Sequence, residues 1–260
     1  DSVQLDSASV SHVVGALQQY ALTECERDAV GEAFETFIGP SLKGPQGQFF
    51  TPRNVVKMVV DMIDPKPSEK IIDPACGSGG FLVEALRHVW RKVEERGATL
   101  GWPELETFSE KQKVAIDKFR GIDKDAFLSK VAKAYMAILG DGRGGVFCEN
   151  SLEQPQNWHQ KTRESIQMGS FDVLITNPPF GKKLSIESDE ILRTFDLGYT
   201  WKAEKDGSFT KKSLQDKQPP QILFIERCLD LLRDGGRMGI VLLESIFGMP
   251  KYRYVIDYIK

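Results

Sequence analysis

Two short stretches carry residues whose types and spacing could do chemistry. The first runs Asp73, Pro74, Ala75, Cys76, Gly77, Ser78, Gly79, Gly80, Phe81: a carboxylate, then a glycine-rich loop that opens a helical pattern. Glycines let backbone N–H groups approach a ligand closely, and a helix N-terminus adds a field that favours a negative group. The second is Asn177, Pro178, Pro179, Phe180, directly after an apolar run at 171–176. Consecutive prolines remove two backbone donors and stiffen the turn. The Asn177 side-chain oxygen and the Pro178 carbonyl can then face outward together as acceptors. An exocyclic amino group has two N–H donors to match them. Bonding both would aim the nitrogen lone pair at an electrophile and stabilise the positive charge that grows as it attacks. Phe180 offers a face on which a planar base can stack. The alternative for these four residues is a rigid strand-to-loop turn with a core phenylalanine.

The glycine loop is not a dinucleotide fingerprint. That pattern is G-x-G-x-x-G, and here Leu82 stands at the third glycine. Asp73 would also repel a pyrophosphate and attract an amino group. A nucleoside bearing an amino acid, such as S-adenosylmethionine (AdoMet), suits both features, with its methionine end at Asp73 and the loop amides. Asp123 closes the next strand pattern, where a carboxylate can bind a ribose diol. Plainer roles exist for both acids: Asp73 as a cap on its own loop, Asp123 as the start of the following helix. Upstream lie Gln48, Phe49, Phe50, Thr51, Pro52 and Arg53. Thr51 suits a helix N-cap and Pro52 the first helical position, with Phe49 and Phe50 as a hydrophobic staple. No Ser-His-Asp or Cys-His arrangement competes, so the chemistry expected is direct in-line methyl transfer, catalysed by positioning and electrostatics.

The elements that must position these residues alternate. Strands are expected at 70–74, 118–123, 146–148, 171–176 and 237–243, and helices at 80–96, 126–139 and 222–232, which together predict an α/β fold with a mostly parallel sheet covered on both faces. Apolar spacing predicts helix from Ser9 to about Ile38, with Thr23 and Glu26 as a capping box between two helices, after a polar start at 1–8 expected to be disordered. A helix after Pro52 ends at Asp64. Residues 97–110 read as an insertion, 140–145 as a turn-rich loop, and 181–219 as a long polar loop expected to order only with a partner.

Composition narrows the class. The chain has 260 residues and is 41% hydrophobic and 27% charged, an ordinary balance for a folded domain with its own core plus an appendage. No apolar run approaches the roughly 20 residues needed to span a bilayer, and no secretory signal is visible, so no membrane partner is expected. The four cysteines form no CxxC pair and the three histidines show no ligand spacing, which points to reduced thiols, a cytoplasmic setting and no metal. Both ends look cut from a longer protein. The net charge of −3 is mild. Any grip on nucleic acid must come from a local patch or a partner.

Taken together, these residues resemble the N6-adenine DNA methyltransferases, specifically the modification (M) subunit of type I restriction–modification systems. The similarity spans roughly residues 25–250. Gln48 to Arg53 is similar to that family's AdoMet-contacting Q-[FY]-F-T-P-R stretch, Asp73 to Phe81 to its D-P-A-x-G-[ST]-x-G-F loop, Asp123 to its ribose acid, and Asn177 to Phe180 to its catalytic N-P-P-F. Their order is that of the gamma group of amino methyltransferases. The resemblance implies a Rossmann-like AdoMet-dependent methyltransferase sheet, from residue 46 to 260 and truncated at its C-terminus, preceded at 1–45 by the end of a helical domain. It implies transfer of methyl to the N6 amino group of a flipped adenine in double-stranded DNA, and partnership with a specificity (S) and a restriction (R) subunit, with two M subunits per complex. The chain departs from the family at Leu243-Glu244, where Leu-Pro is common, and at 149–152, where Gly-Asp-Ser/Thr-Leu is common. Two other readings remain: a methyltransferase for an amino group on RNA or protein, which detection of N6-methyladenine would separate, and a non-catalytic AdoMet-binding or assembly module, which calorimetry with AdoMet would test.

Overall fold

The computed structural model describes residues 6–19, 51–140, 145–181 and 184–260. Gln48, Phe49, Phe50 and the Thr23/Glu26 pair lie outside the described residues. At the start of the chain Asp6 caps α1 (Ser7–Leu17) by accepting the Ser9 N–H at 2.8 Å. The helix therefore begins slightly ahead of the first apolar position, because the cap sets its start. The elements that follow are α2 (Arg53–Ile63), β1 (Ile71–Asp73), α3 (Gly80–Leu100), α4 (Glu104–Lys118), β2 (Phe119–Asp123), α5 (Ala126–Ile138), β3 (Val146–Cys148), α6 (Gln160–Ser165), β4 (Phe171–Thr176), α7 (Asp189–Leu192), β5 (Tyr199–Ala203), β6 (Phe209–Leu214), α8 (Pro220–Leu231), β7 (Leu232–Ile240), α9 (Glu244–Gly248) and α10 (Arg253–Ile259).

Parallel pairing builds one sheet in the order β3-β2-β1-β4-β7. The central strand shows how both faces are filled. Ile71 enters a core with Val60, Leu82, Leu86 and Val89, while Ile72 enters another with Phe147, Trp158, Phe171 and Leu231. Strands buried on both faces read as continuous apolar runs, and each such side chain contributes roughly 1.5–3 kcal/mol on burial. From β1 the chain moves outward through β2 to β3. It then returns to β4, beside β1 on the other side, and continues to β7. Such a reversal opens a crevice at the carboxyl ends of the two neighbouring strands. β1 ends on Asp73 and β4 on Thr176, directly before Asn177. The topology alone thus brings the two chemistry-bearing stretches to one place.

Three expectations are corrected. Most of 97–110 is helical. Gly97 is a packing position within α3: a Cβ there would meet Thr107 Oγ1 of α4 at 2.7 Å, so the two helices approach closely at a residue without a side chain. The chain turns instead at Gly101. Residues 181–219, read as a loop, contain α7 and the antiparallel hairpin β5–β6. That segment is anchored by buried Leu192, Phe195 and Leu197. Glu226 of α8 also holds it, accepting the Asp196 and Leu197 N–H groups at 2.8 Å each. The last strand of the sheet starts earlier than 237 and ends at Ile240. Asp234-Gly235-Gly236 lies inside β7, where the register against β4 shifts.

Candidate active site

A cavity of about 230 Å³ opens at the carboxyl ends of β1 and β4. Its wall includes Asp73, Gly77, Ser78, Gly80 and Phe81 from the first stretch, Asp123 from β2, and Asn177, Pro178, Pro179 and Phe180 from the second. Thr51 joins it from the residues that lead into α2. The sequence-marked residues Gly79, Pro52 and Arg53 do not line the wall. Gly79 stands behind it as the N-cap of α3. Pro52, not Thr51, caps α2, and no side-chain bond closes that cap. The wall also contains Asn150, Ser151 and Leu152 from the 149–152 stretch, and groups not marked in the sequence, among them Lys124, Leu184, Ile186 and Phe224. Ser151 donates its hydroxyl to the Pro74 carbonyl and so holds the glycine loop from the β3 side. No local pattern in the sequence signals Leu184, Ile186 or Phe224, because they come from separate connections that meet only in the fold.

The loop owes its shape to two backbone conformations. Gly77 has φ 54° and Gly79 φ 93°, both in the left-handed region that glycine enters at little cost. The Gly77 N–H donates to Asp123 Oδ2 at 2.8 Å, which ties the loop to the end of β2. Asp123 Oδ1 accepts the Asp125 N–H at 2.8 Å. Asp123 is therefore a structural acceptor as well as a cavity residue. Asp73 is 2% exposed and its Oδ1 accepts the Ala75 N–H at 3.0 Å. Burial pushes the Asp73 carboxyl up to about 7, against the lowering effect of the Thr176 hydroxyl and the Ala75 N–H. Asp123 is also raised, chiefly by burial, with the Asp125 and Gly77 N–H groups opposing. Two acids with raised pKa in one cavity favour a ligand that brings positive charge. The Cys76 thiol lines the same cavity, but burial pushes its pKa well up. It is packed there as a small apolar group, not as a thiolate nucleophile.

The second stretch is held from a distance. Asn177 Nδ2 donates to Thr51 Oγ1 at 2.8 Å. Its Oδ1 is buried, and no described residue donates to it. An unsatisfied buried acceptor costs roughly 1–3 kcal/mol. Pro178 and Pro179 have no N–H to offer it. Asn177 lines the cavity wall, and an amino group that reached its Oδ1 would satisfy that acceptor. The residues present suit AdoMet at the acidic side of the cavity and an amine at the Asn177 side.

These features define a class by fold: it is α/β and Rossmann-like, and a putative class I S-adenosylmethionine-dependent methyltransferase from Listeria monocytogenes shares it, with a TM-score of 0.60 at 15% identity over 98% of this chain and 66% of that one. The chain belongs to the N-6 DNA Methylase family, whose pattern matches residues 25–249. It is 28% identical over 227 residues to the type I restriction enzyme EcoEI methylase subunit of Escherichia coli, an alignment that covers 86% of this chain and 38% of that protein. Against the type I restriction enzyme MjaIX methylase subunit of Methanocaldococcus jannaschii it is 29% identical over 181 residues, covering 68% of this chain and 27% of the relative. The crystal structure of a modification subunit of a putative type I restriction enzyme from Vibrio vulnificus YJ016 shares the fold, with a TM-score of 0.56 at 23% identity over 98% of this chain and 44% of that one. The chain thus spans less than half the length of each of these three restriction-enzyme subunits.

Proposed function

We propose that this chain is the catalytic portion of an AdoMet-dependent DNA adenine-N6 methyltransferase, within the modification subunit of a type I restriction–modification system. The observation that carries the reading is the Asn177 amide, whose buried Oδ1 lacks a described donor beside two prolines that cannot supply one. AdoMet, when bound, supplies a methyl group on a positively charged sulfur. Asp73 and the amides of Ser78 and Gly80 hold its amino-acid end, on a loop shaped by Gly77 and Gly79 and continued by Phe81. Asp123 takes the ribose. Gln48, Phe49, Phe50, Thr51, Pro52 and Arg53 are assigned to donor binding on the family resemblance of that stretch. Asn177 Oδ1 and the Pro178 carbonyl accept hydrogen bonds from the N6 amino group and stabilise the charge that develops on the nitrogen, which releases one proton to solvent after it gains the methyl; Pro179 stiffens the turn, and Phe180 stacks on the base. No residue forms a covalent bond to the methyl group.

Adenine in a duplex buries its N6 edge, so the base must be flipped out at a cost of a few kcal/mol. The net charge of −3 supports a division of labour in which a specificity subunit reads and grips the DNA. The proposed assembly holds two modification subunits, that specificity subunit and a restriction subunit, and works in the cytoplasm. No described helix is long and apolar enough to cross a membrane. Residues 1–45 are assigned to the end of a helical domain and 46–260 to the catalytic domain.

The test is tritiated methyl transfer to DNA by the full-length subunit in its complex, followed by identification of the methylated base. Asn177→Ala should lower kcat by about 100-fold or more, the loss seen when one transition-state hydrogen-bond acceptor or donor is removed. Unchanged transfer would remove Asn177 from the chemistry. Label on RNA or protein, with none as N6-methyladenine, would overturn the DNA reading.

A further inference from the structure

The Asn177 amide can present either its oxygen or its NH2 to a substrate, and only the oxygen suits an amino group. Something must hold the amide the right way round. Its own backbone cannot, because the next two residues are prolines without N–H groups. The structure supplies one fixing contact from far away in sequence: Nδ2 donates to Thr51 Oγ1 at 2.8 Å across 126 residues. Because Nδ2 is engaged there, Oδ1 is the atom left without a described donor. We infer that Thr51 is a positioning residue for Asn177: its side-chain hydroxyl accepts from Nδ2 and anchors the amide that receives the target amine. This rests on the function proposed above and gives the Thr51 side chain a role other than contact with the methyl donor.

The rest of the molecule keeps Thr51 in place. Thr51 leads into α2, and α2 is held along its length by buried Val56 and Val60. At its far end Arg237 of β7 donates through Nε to the Ile63 carbonyl at 2.8 Å and through Nη2 to the Asp64 carbonyl at 3.0 Å. Arg237 also pairs with Glu69 through both Nη groups, at 2.7 and 2.9 Å. A helix clamped to β7 therefore carries the hydroxyl to the end of β4, the neighbouring strand. The contact spans two elements that are each fixed to the sheet, which is what a rigid orienting bond needs.

The experiment uses the full-length subunit in its complex. Wild-type transfer to DNA adenine is measured first, and its absence would overturn the proposed function without touching this contact. Thr51→Val keeps the shape and loses the acceptor. It should lower kcat on the order of 10–100-fold, as a small misplacement of a catalytic group does, while the AdoMet Kd stays within about two-fold of wild type. Thr51→Ser should restore most of kcat. A loss of AdoMet affinity with kcat unchanged at saturation would overturn the inference and make Thr51 a donor contact. Unchanged kcat and Kd in Thr51→Val would overturn it as well. Should Thr51→Val fold poorly, the Asn177 side-chain amide resonances read the contact directly in the wild type and in Thr51→Ser. Slow solvent exchange of those two protons in both supports the contact, and fast exchange in the folded wild type overturns it.

Discussion

At 2% exposure and with its carboxyl pushed up to about 7 by burial, Asp73 titrates in the range where the protein would work. An unfolded aspartate has a pKa of about 3.9. Between those values the folded chain keeps a proton that the unfolded chain has lost, so stability falls as pH rises through the window and the full penalty is present above about 7. Asp73→Asn removes the titration. Its melting temperature relative to wild type should therefore be higher at pH 8 than at pH 5, and an offset that is the same at both would show that Asp73 does not titrate there. Ligand binding should move the other way. Calorimetry of the wild type should show AdoMet affinity rising from about pH 6 to about 7.5, as the carboxylate forms while the amino group (free pKa about 7.7–8.0) is still cationic, with no such rise in Asp73→Asn. Asp73 and Asn177 were legible in the sequence because each sits in a compact pattern beside a strand end. The Thr51–Asn177 bond was not, because nothing local in either segment refers to the other.

The elements divide in the same way. Strands β1 to β4 were legible because buried strands are short, dense apolar runs, and their sequences barely mix with the surroundings. α4 was hidden because Gly97, Gly101, Trp102 and Pro103 look like loop, whereas Gly97 is where α3 and α4 touch. The β5–β6 hairpin was hidden for a different reason: most of its residues are exposed, so no alternation marks it. Its attachment is a tertiary fact, carried by Glu226. That carboxylate is 6% exposed and takes two backbone N–H groups, those of Asp196 and Leu197. Glu226→Ala leaves both donors without their acceptor, at roughly 1–3 kcal/mol each before relaxation. The expected result is a lower denaturant midpoint together with faster amide exchange at 196–198 and in the hairpin. Loss of global stability with exchange in the hairpin unchanged would show that Leu192, Phe195 and Leu197 hold the segment without help.

For the whole molecule, the reversal between β1 and β4 has a thermodynamic consequence. Asp73 and Asp123 come from one side of the sheet and Asn177 from the other, yet all three line one cavity. A ligand held by the acidic side should stabilise the folded state without needing Asn177, while chemistry should need both. AdoMet at 100 times its Kd stabilises by about 2.7 kcal/mol, which for a domain of this size corresponds to a melting shift of roughly 5–10 °C. Asn177→Ala should keep that shift and lose methyl transfer. Asp123→Asn should shrink the shift, because the charge facing the ribose side is gone, while retaining an amide oxygen that can still accept the Gly77 N–H and hold the loop. Asp123→Ala should in addition lower the melting temperature of the free chain, since Gly77 and Asp125 lose the acceptor for their N–H groups. Thermal melts of the three variants with and without AdoMet read all of this in one series. An Asn177→Ala protein that loses the AdoMet shift as completely as Asp123→Ala would mean that the two sides of the cavity do not divide donor and acceptor between them.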